Sequence, residues 1–117
     1  MYKWPEQISP TAFGGLTIES IQFTVNTITI GFDRDVAVTV ESSIQLNDEQ
    51  KTEEVSIPPS NTGLLCLLGK KVTEAVVDDD AASLLLRFEK NLSIRIEGGD
   101  AQYECFHIST NGKEFIV

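Results

Sequence analysis

The chain has 117 residues, 41% of them hydrophobic and 23% charged, with eighteen acidic against nine basic side chains and a formal net charge of −9. A chain of this length folds as one domain and buries roughly 65% of the surface its unfolded form exposes, so it needs no covalent staple. The negative charge opposes approach to a phosphate backbone or an anionic lipid surface, which disfavours nucleic-acid and membrane partners.

The first residues, Met1-Tyr2-Lys3-Trp4-Pro5-Glu6, lack the apolar core of a signal peptide, and no stretch reaches the length of a membrane span. Cys66 and Cys105 are too few for a disulfide framework. The expectation is a cytoplasmic protein with reduced thiols.

In chain order, Ser9-Pro10-Thr11-Ala12-Phe13 before Gly14-Gly15 predicts a short helix with proline at its first position. Ile28, Ile30 and Phe32 then alternate with polar or small residues, as do Val36, Val38 and Val40 after the turn Asp33-Arg34-Asp35. Strict alternation is the mark of a half-buried strand, and it predicts strands at about 16–25, 27–32 and 36–42. From 43 to 58 the apolar period fades. Asp48, Glu49, Glu53 and Glu54 fall within seven residues there, which predicts an acidic, solvated connection.

Thr62 is a plausible N-cap for a second short helix, Gly63 to Leu68, closed by Gly69. Strands are expected again at about 70–78, 83–88 and 92–97, with Leu84, Leu86 and Phe88, the turn Glu89-Lys90-Asn91, then Leu92, Ile94 and Ile96. At the end, Asn111-Gly112 between two short strand patterns predicts a hairpin over 103–117.

The second set repeats the first. Phe32-Asp-Arg-Asp-Val-Ala-Val-Thr-Val-Glu41 aligns with Phe88-Glu-Lys-Asn-Leu-Ser-Ile-Arg-Ile-Glu97, and Gly15-Leu16-Thr17-Ile18 aligns with Gly69-Lys70-Lys71-Val72. The repeat units are about 9–42 and 62–98 within a single domain, 1–117. A lone three-stranded sheet leaves its apolar face wet. The expected fold is therefore all-β and mainly antiparallel, with one or two short helices: two duplicated meanders packed as a sandwich or flattened barrel and closed by the C-terminal hairpin. Its predicted core is Ile28, Ile30, Phe32, Val36, Val38, Leu84, Leu86, Phe88, Leu92 and Ile94.

No motif assigns a reaction. His107 is the only histidine, so any catalytic dyad or imidazole-containing metal site must use it. Cys105, two residues earlier, is expected on the same strand face at about 6–7 Å, too far for the hydrogen bond a thiolate and its base need. Tyr103, Cys105 and His107 are the residues to check for a pocket. The cysteine spacing supports no zinc site, and Asp78-Asp79-Asp80 lacks the ligand spacing of a calcium loop. The expectation is no catalytic residue, no metal and no cofactor, with Asp35 and Asn91 chosen for left-handed turn geometry.

Leu68-Gly69-x-x-Val72, Leu84-x-Leu86-x-Phe88-x-x-Asn91-x-x-Ile94 and Tyr103-Glu104-x-Phe106-x-Ile108 together resemble a family of small uncharacterised bacterial all-β proteins. The resemblance covers position 64 to the end, implies the same β-rich fold, and brings no activity with it. Size, acidity and β content are more loosely similar to bacterial immunity proteins, which present carboxylates to a basic cleft. That similarity implies a basic protein partner for Asp48, Glu49, Glu53 and Glu54. A structural or self-associating role, as a homodimer, is the alternative, and a Cys/His-dependent enzyme a remote third.

Overall fold

Ile28-Thr-Ile-Gly-Phe32 and Leu84-Leu-Leu-Arg87 each place alternate side chains in the protein interior, and the strands on either side do the same. The structure, a computed structural model, describes residues 4–5, 7–59, 62–78, 82–98, 105–110 and 112–117. In these residues the strands are β1 (Ile18–Phe23), β2 (Ile28–Phe32), β3 (Val36–Val40), β4 (Ser43–Asn47) and β5 (Thr52–Ser56). They continue as β6 (Glu74–Val77), β7 (Leu84–Arg87), β8 (Ser93–Ile96), β9 (Phe106–Thr110) and β10 (Lys113–Ile116). Two five-stranded antiparallel sheets result, ordered β1-β2-β3-β9-β10 and β5-β4-β8-β7-β6. Their edges stay open, so the fold is a sandwich and no closed barrel.

The two expected helices are 3-10 turns of four residues each, Pro10–Phe13 and Leu64–Leu67. Four residues close only i→i+3 bonds before the chain must turn back toward a strand. Phe13 and Leu67, at equivalent places in the two turns, are both buried. Gly15 and Gly69 follow with φ of 86° and 81°, the left-handed region where a side chain would be strained.

The segment 43–58, expected as a solvated connection, is corrected by the structure: it is the hairpin β4–β5, with Ile44, Leu46 and Val55 in the core. Its acids lie at the tip and along the edge strand, which conceals the apolar alternation in a charge count. This hairpin leaves its own meander and pairs with β8 of the other repeat. The C-terminal hairpin β9–β10 does the reverse and pairs with β3. Each repeat is therefore a 3-10 turn, three meander strands and a hairpin given to the opposite sheet.

Register repeats with the sequence. Ile30 pairs with Val38 as Leu86 pairs with Ile94, and Ile28 with Val40 as Leu84 with Ile96. Across the exchanged hairpins, Val40 pairs with Phe106 as Ile96 pairs with Ile44. The turn residues Arg34 and Asp35 have φ of 62° and 58°, and Lys90 and Asn91 have 62° and 59°. Phe32 and Phe88 are each 4% exposed. Of the predicted core only Val36 and Leu92, equivalent to each other, are half-buried, and all the rest are buried.

Outside the exchanged hairpins, the described residues of the two repeats also pair at an isolated bridge, Thr17 with Lys71. Gly15 N–H donates to the Val72 carbonyl and Gly69 N–H to the Ile18 carbonyl, both at 2.8 Å. Ile18 N–H donates to Lys70 at 2.9 Å and Val72 N–H to Leu16 at 2.8 Å. Exchanging the repeats maps this set onto itself, as at a two-fold interface between identical subunits.

Two outcomes follow from the exchange. Fragments 1–59 and 62–117 are expected to be unfolded alone and to regain a β-type circular dichroism spectrum on mixing, because each lacks two strands of its own sheet. Phe32→Ala and Phe88→Ala are each expected to cost about 3–5 kcal/mol, and nearly equally, in urea unfolding.

Candidate functional site

The predicted acidic residues stand on one hairpin, and three of the four are tied to backbone or amide groups. Asp48 Oδ1 accepts the Gln50 and Lys51 N–H groups at 2.8 and 2.9 Å, forming the turn at the tip. Those backbone bonds hold the Asp48 carboxyl below its ordinary pKa of 3.8. Glu49 Oε1 accepts the Asn91 side-chain amide at 3.1 Å, fastening the tip to the β7–β8 turn. Both Glu53 carboxylate oxygens lie 3.1 Å from the Gly63 N–H, which tethers β5 to the start of the second 3-10 turn. Glu54 points outward from the edge strand, opposite Gln45. The sequence alone already places these acids side by side. It does not show that most of them serve neighbouring donors.

Of the residues to be checked for a pocket, Tyr103 lies outside the described residues. Cys105 and His107 are separated by a local irregularity. The Val117 carbonyl accepts both Cys105 N–H at 2.7 Å and Phe106 N–H at 3.2 Å, two residues facing one, as in a β-bulge. Cys105 and Phe106 both join the core cluster. The expectation that Cys105 shares a face with His107 is thereby corrected: His107 alternates outward between buried Phe106 and Ile108.

On that outer face, His107 Nδ1 lies 2.7 Å from Glu114 Oε1, and Nε2 lies 3.5 Å from Glu41 Oε2. The sequence reading missed both glutamates. A signal for Glu114 exists in the sequence, since the Asn111-Gly112 hairpin signal predicts the register observed, Ser109 opposite Glu114 and His107 opposite Ile116. That register puts Glu114 diagonally beside the histidine. The result is an imidazole held between two carboxylates, with the thiol on the opposite side of the sheet.

The outer face of the second sheet carries its own ion pairs. Arg95 reaches Asp78 at 2.6 Å and Glu97 at 3.1 Å, and Arg87 reaches Glu74 at 3.2 Å. The hydrogen bond to Asp78 raises the Arg95 pKa above its ordinary value. Asp78 thus serves as a partner for arginine, while Asp79 and Asp80 fall outside the described residues.

Residues 9–117 match a family of unknown function, DUF6188. The chain belongs to that family. The DUF6188 match starts at Ser9, the N-cap of the first 3-10 turn, and runs to the last residue, so it spans both repeats and both exchanged hairpins. It is broader than the resemblance read from position 64 onward. Comparison with curated proteins and with solved structures finds no match for the chain.

The depressed Asp48 pKa carries a pH prediction for this DUF6188 domain. A lowered folded-state pKa contributes stability that is present above the unfolded value and is lost as pH falls through the folded one. Side-chain carboxyl NMR is expected to show Asp48 titrating below 3.8, with Gln50 and Lys51 amide protection falling over the same pH range. Asp48→Ala is expected to abolish that protection at neutral pH.

Proposed function

We propose that this domain is a non-enzymatic protein-binding module that meets a basic partner through the β4–β5 hairpin, with Asp48, Glu49, Glu53 and Glu54 as its contact acids. The supporting observation is the tethering of three of these carboxylates by Gln50, Lys51, Asn91 and Gly63 on an open edge of the second sheet. Carboxylates held before binding lose little conformational freedom on contact. Each oxygen still has lone pairs for a lysine or arginine of the partner. Complementary charge of this kind acts mainly on association rate and on salt dependence. The likeness to acidic immunity proteins is an analogy consistent with this reading.

The test is capture of partners from the native host by the intact protein and by a variant with Asp48→Asn, Glu49→Gln, Glu53→Gln and Glu54→Gln. A basic protein retained at low salt, released by salt and lost with the variant is the expected result. Glu54→Gln alone, which removes none of the observed hydrogen bonds, is expected to weaken retention without changing the unfolding midpoint. Identical retention by all three baits, or none, sinks the reading.

Self-association is the second reading. It rests on edge strand β1, where Phe23 is 39% and neighbouring Val25 73% exposed, and where residues beyond the Thr17–Lys71 bridge present an open strand edge. A concentration-dependent mass in light scattering that disappears with Val25→Glu would favour it over the acidic hairpin.

A further inference from the structure

The two repeats differ beside the bridge that joins them. In an antiparallel pair of this kind, flanked by the bonds of its neighbours, each bridged residue directs its own N–H and C=O away from its partner. Thr17 meets Asp33 in that direction: Asp33 Oδ1 accepts the Thr17 N–H, and the Asp33 N–H donates to the Thr17 carbonyl, both at 3.0 Å. The equivalent pair in the second repeat is Lys71 and Glu89. Among the described residues neither corresponding bond forms, and the Lys71 N–H has no acceptor among them. A cleft of about 390 Å³ lies there instead, lined by Gly69, Lys70, Lys71, Glu89, Lys90 and Leu92.

Three of the chain's nine basic residues thus line one concavity, against a single glutamate. Arg87 and Arg95 are held in ion pairs, whereas Lys70, Lys71 and Lys90 have no acid within salt-bridge distance among the described residues. Lys90 also borders a neighbouring concavity with Asp48 and Glu49, so the cationic pull comes mainly from Lys70 and Lys71. Acids farther than about 8 Å are largely screened at physiological salt. Leu92 supplies the apolar part of the lining.

We infer that the cleft formed by Lys70, Lys71 and Lys90 binds a carboxylate, which takes on the Lys71 N–H the place that Asp33 takes on the Thr17 N–H. The first repeat carries its carboxylate internally. The second offers a backbone donor, flanking ammonium groups and room for a guest. The guest is a small organic acid or the acidic side chain of a peptide, two sources of one chemistry. This site adjoins the tip of the acidic hairpin at Lys90 but stands whether or not that hairpin binds a protein.

The test is a titration of the full chain followed by amide NMR, with succinate and with N-acetyl-Asp-Asp-amide as probes and sodium chloride at matched ionic strength as control. The Lys71 amide is expected to shift saturably with at least one carboxylate probe while the Thr17 amide stays still. Response to succinate alone identifies a free organic acid, to the peptide alone an acidic side chain, and to both a site that reads the carboxylate itself. Lys70→Gln combined with Lys90→Gln is expected to weaken binding about fivefold or more, and Glu89→Gln to strengthen it. A Lys71 shift that is linear, equalled by chloride or unchanged by the double substitution overturns the inference, and the spectra themselves report that each variant is folded.

Discussion

Hairpin exchange between the repeats is the constraint on which the rest of the structure depends. A meander of three short strands leaves its apolar face wet until another layer covers it. Adding β9–β10 to β3 and β4–β5 to β8 widens each sheet to five strands, using chain from the other half. The chain must then cross between sheets after β3 and again after β8, and equivalent bonds fix the crossings: Glu41 N–H to Cys105 at 2.9 Å and Glu97 N–H to Ser43 at 3.1 Å. With the hairpins exchanged, neither sheet can shift against the other without breaking the register of both. The four bonds around Thr17 and Lys71 reinforce that single relation.

Charge in this chain is tied closely to backbone geometry. Asp33 holds Thr17, Asp48 holds its own turn, and Glu53 holds Gly63. Each carboxylate accepts from an N–H that no strand pairing satisfies, a use for which acids suit better than neutral acceptors. The net charge of −9 is therefore partly a by-product of how turns and crossings are closed. The arginines of β7 and β8 balance acids on the same outer face. Against this background the lysines beside Gly69 stand apart, and so does His107 between Glu41 and Glu114.

Much of the fold was legible because side-chain period and backbone period coincide. Ile28, Ile30 and Phe32 announce a strand without any knowledge of their partners, and Asp35 and Asn91 announce left-handed turns. The hairpin at 43–58 was missed because only Ile44, Leu46 and Val55 carry its apolar face, while its tip and edge carry acids that dominate any local count. Its likeness to β9–β10 lies in position within the fold, where Ile44 answers Phe106 and Leu46 answers Ile108, and not in shared residues. At the candidate site, sequence grouped the four acids but gave no view of Asn91 or Gly63, which come near only through folding. It set Cys105 beside His107 because strict alternation says nothing of a bulge.

The exchanged hairpins also bear on how such a chain can arise. A single repeat, translated alone, would have two strands with no sheet of its own to join, and a second copy would offer the complementary sheet edge and the matching edge at Thr17. Its natural state would be an obligate dimer of two identical chains. Duplication and fusion into one polypeptide makes that assembly independent of concentration and, more consequentially, frees the halves from identity. In a symmetric dimer any change appears twice. Once fused, one half can keep a carboxylate on its bridge residue while the other replaces the pair with lysine and glutamate, so that asymmetry becomes available to a fold whose geometry remains symmetric.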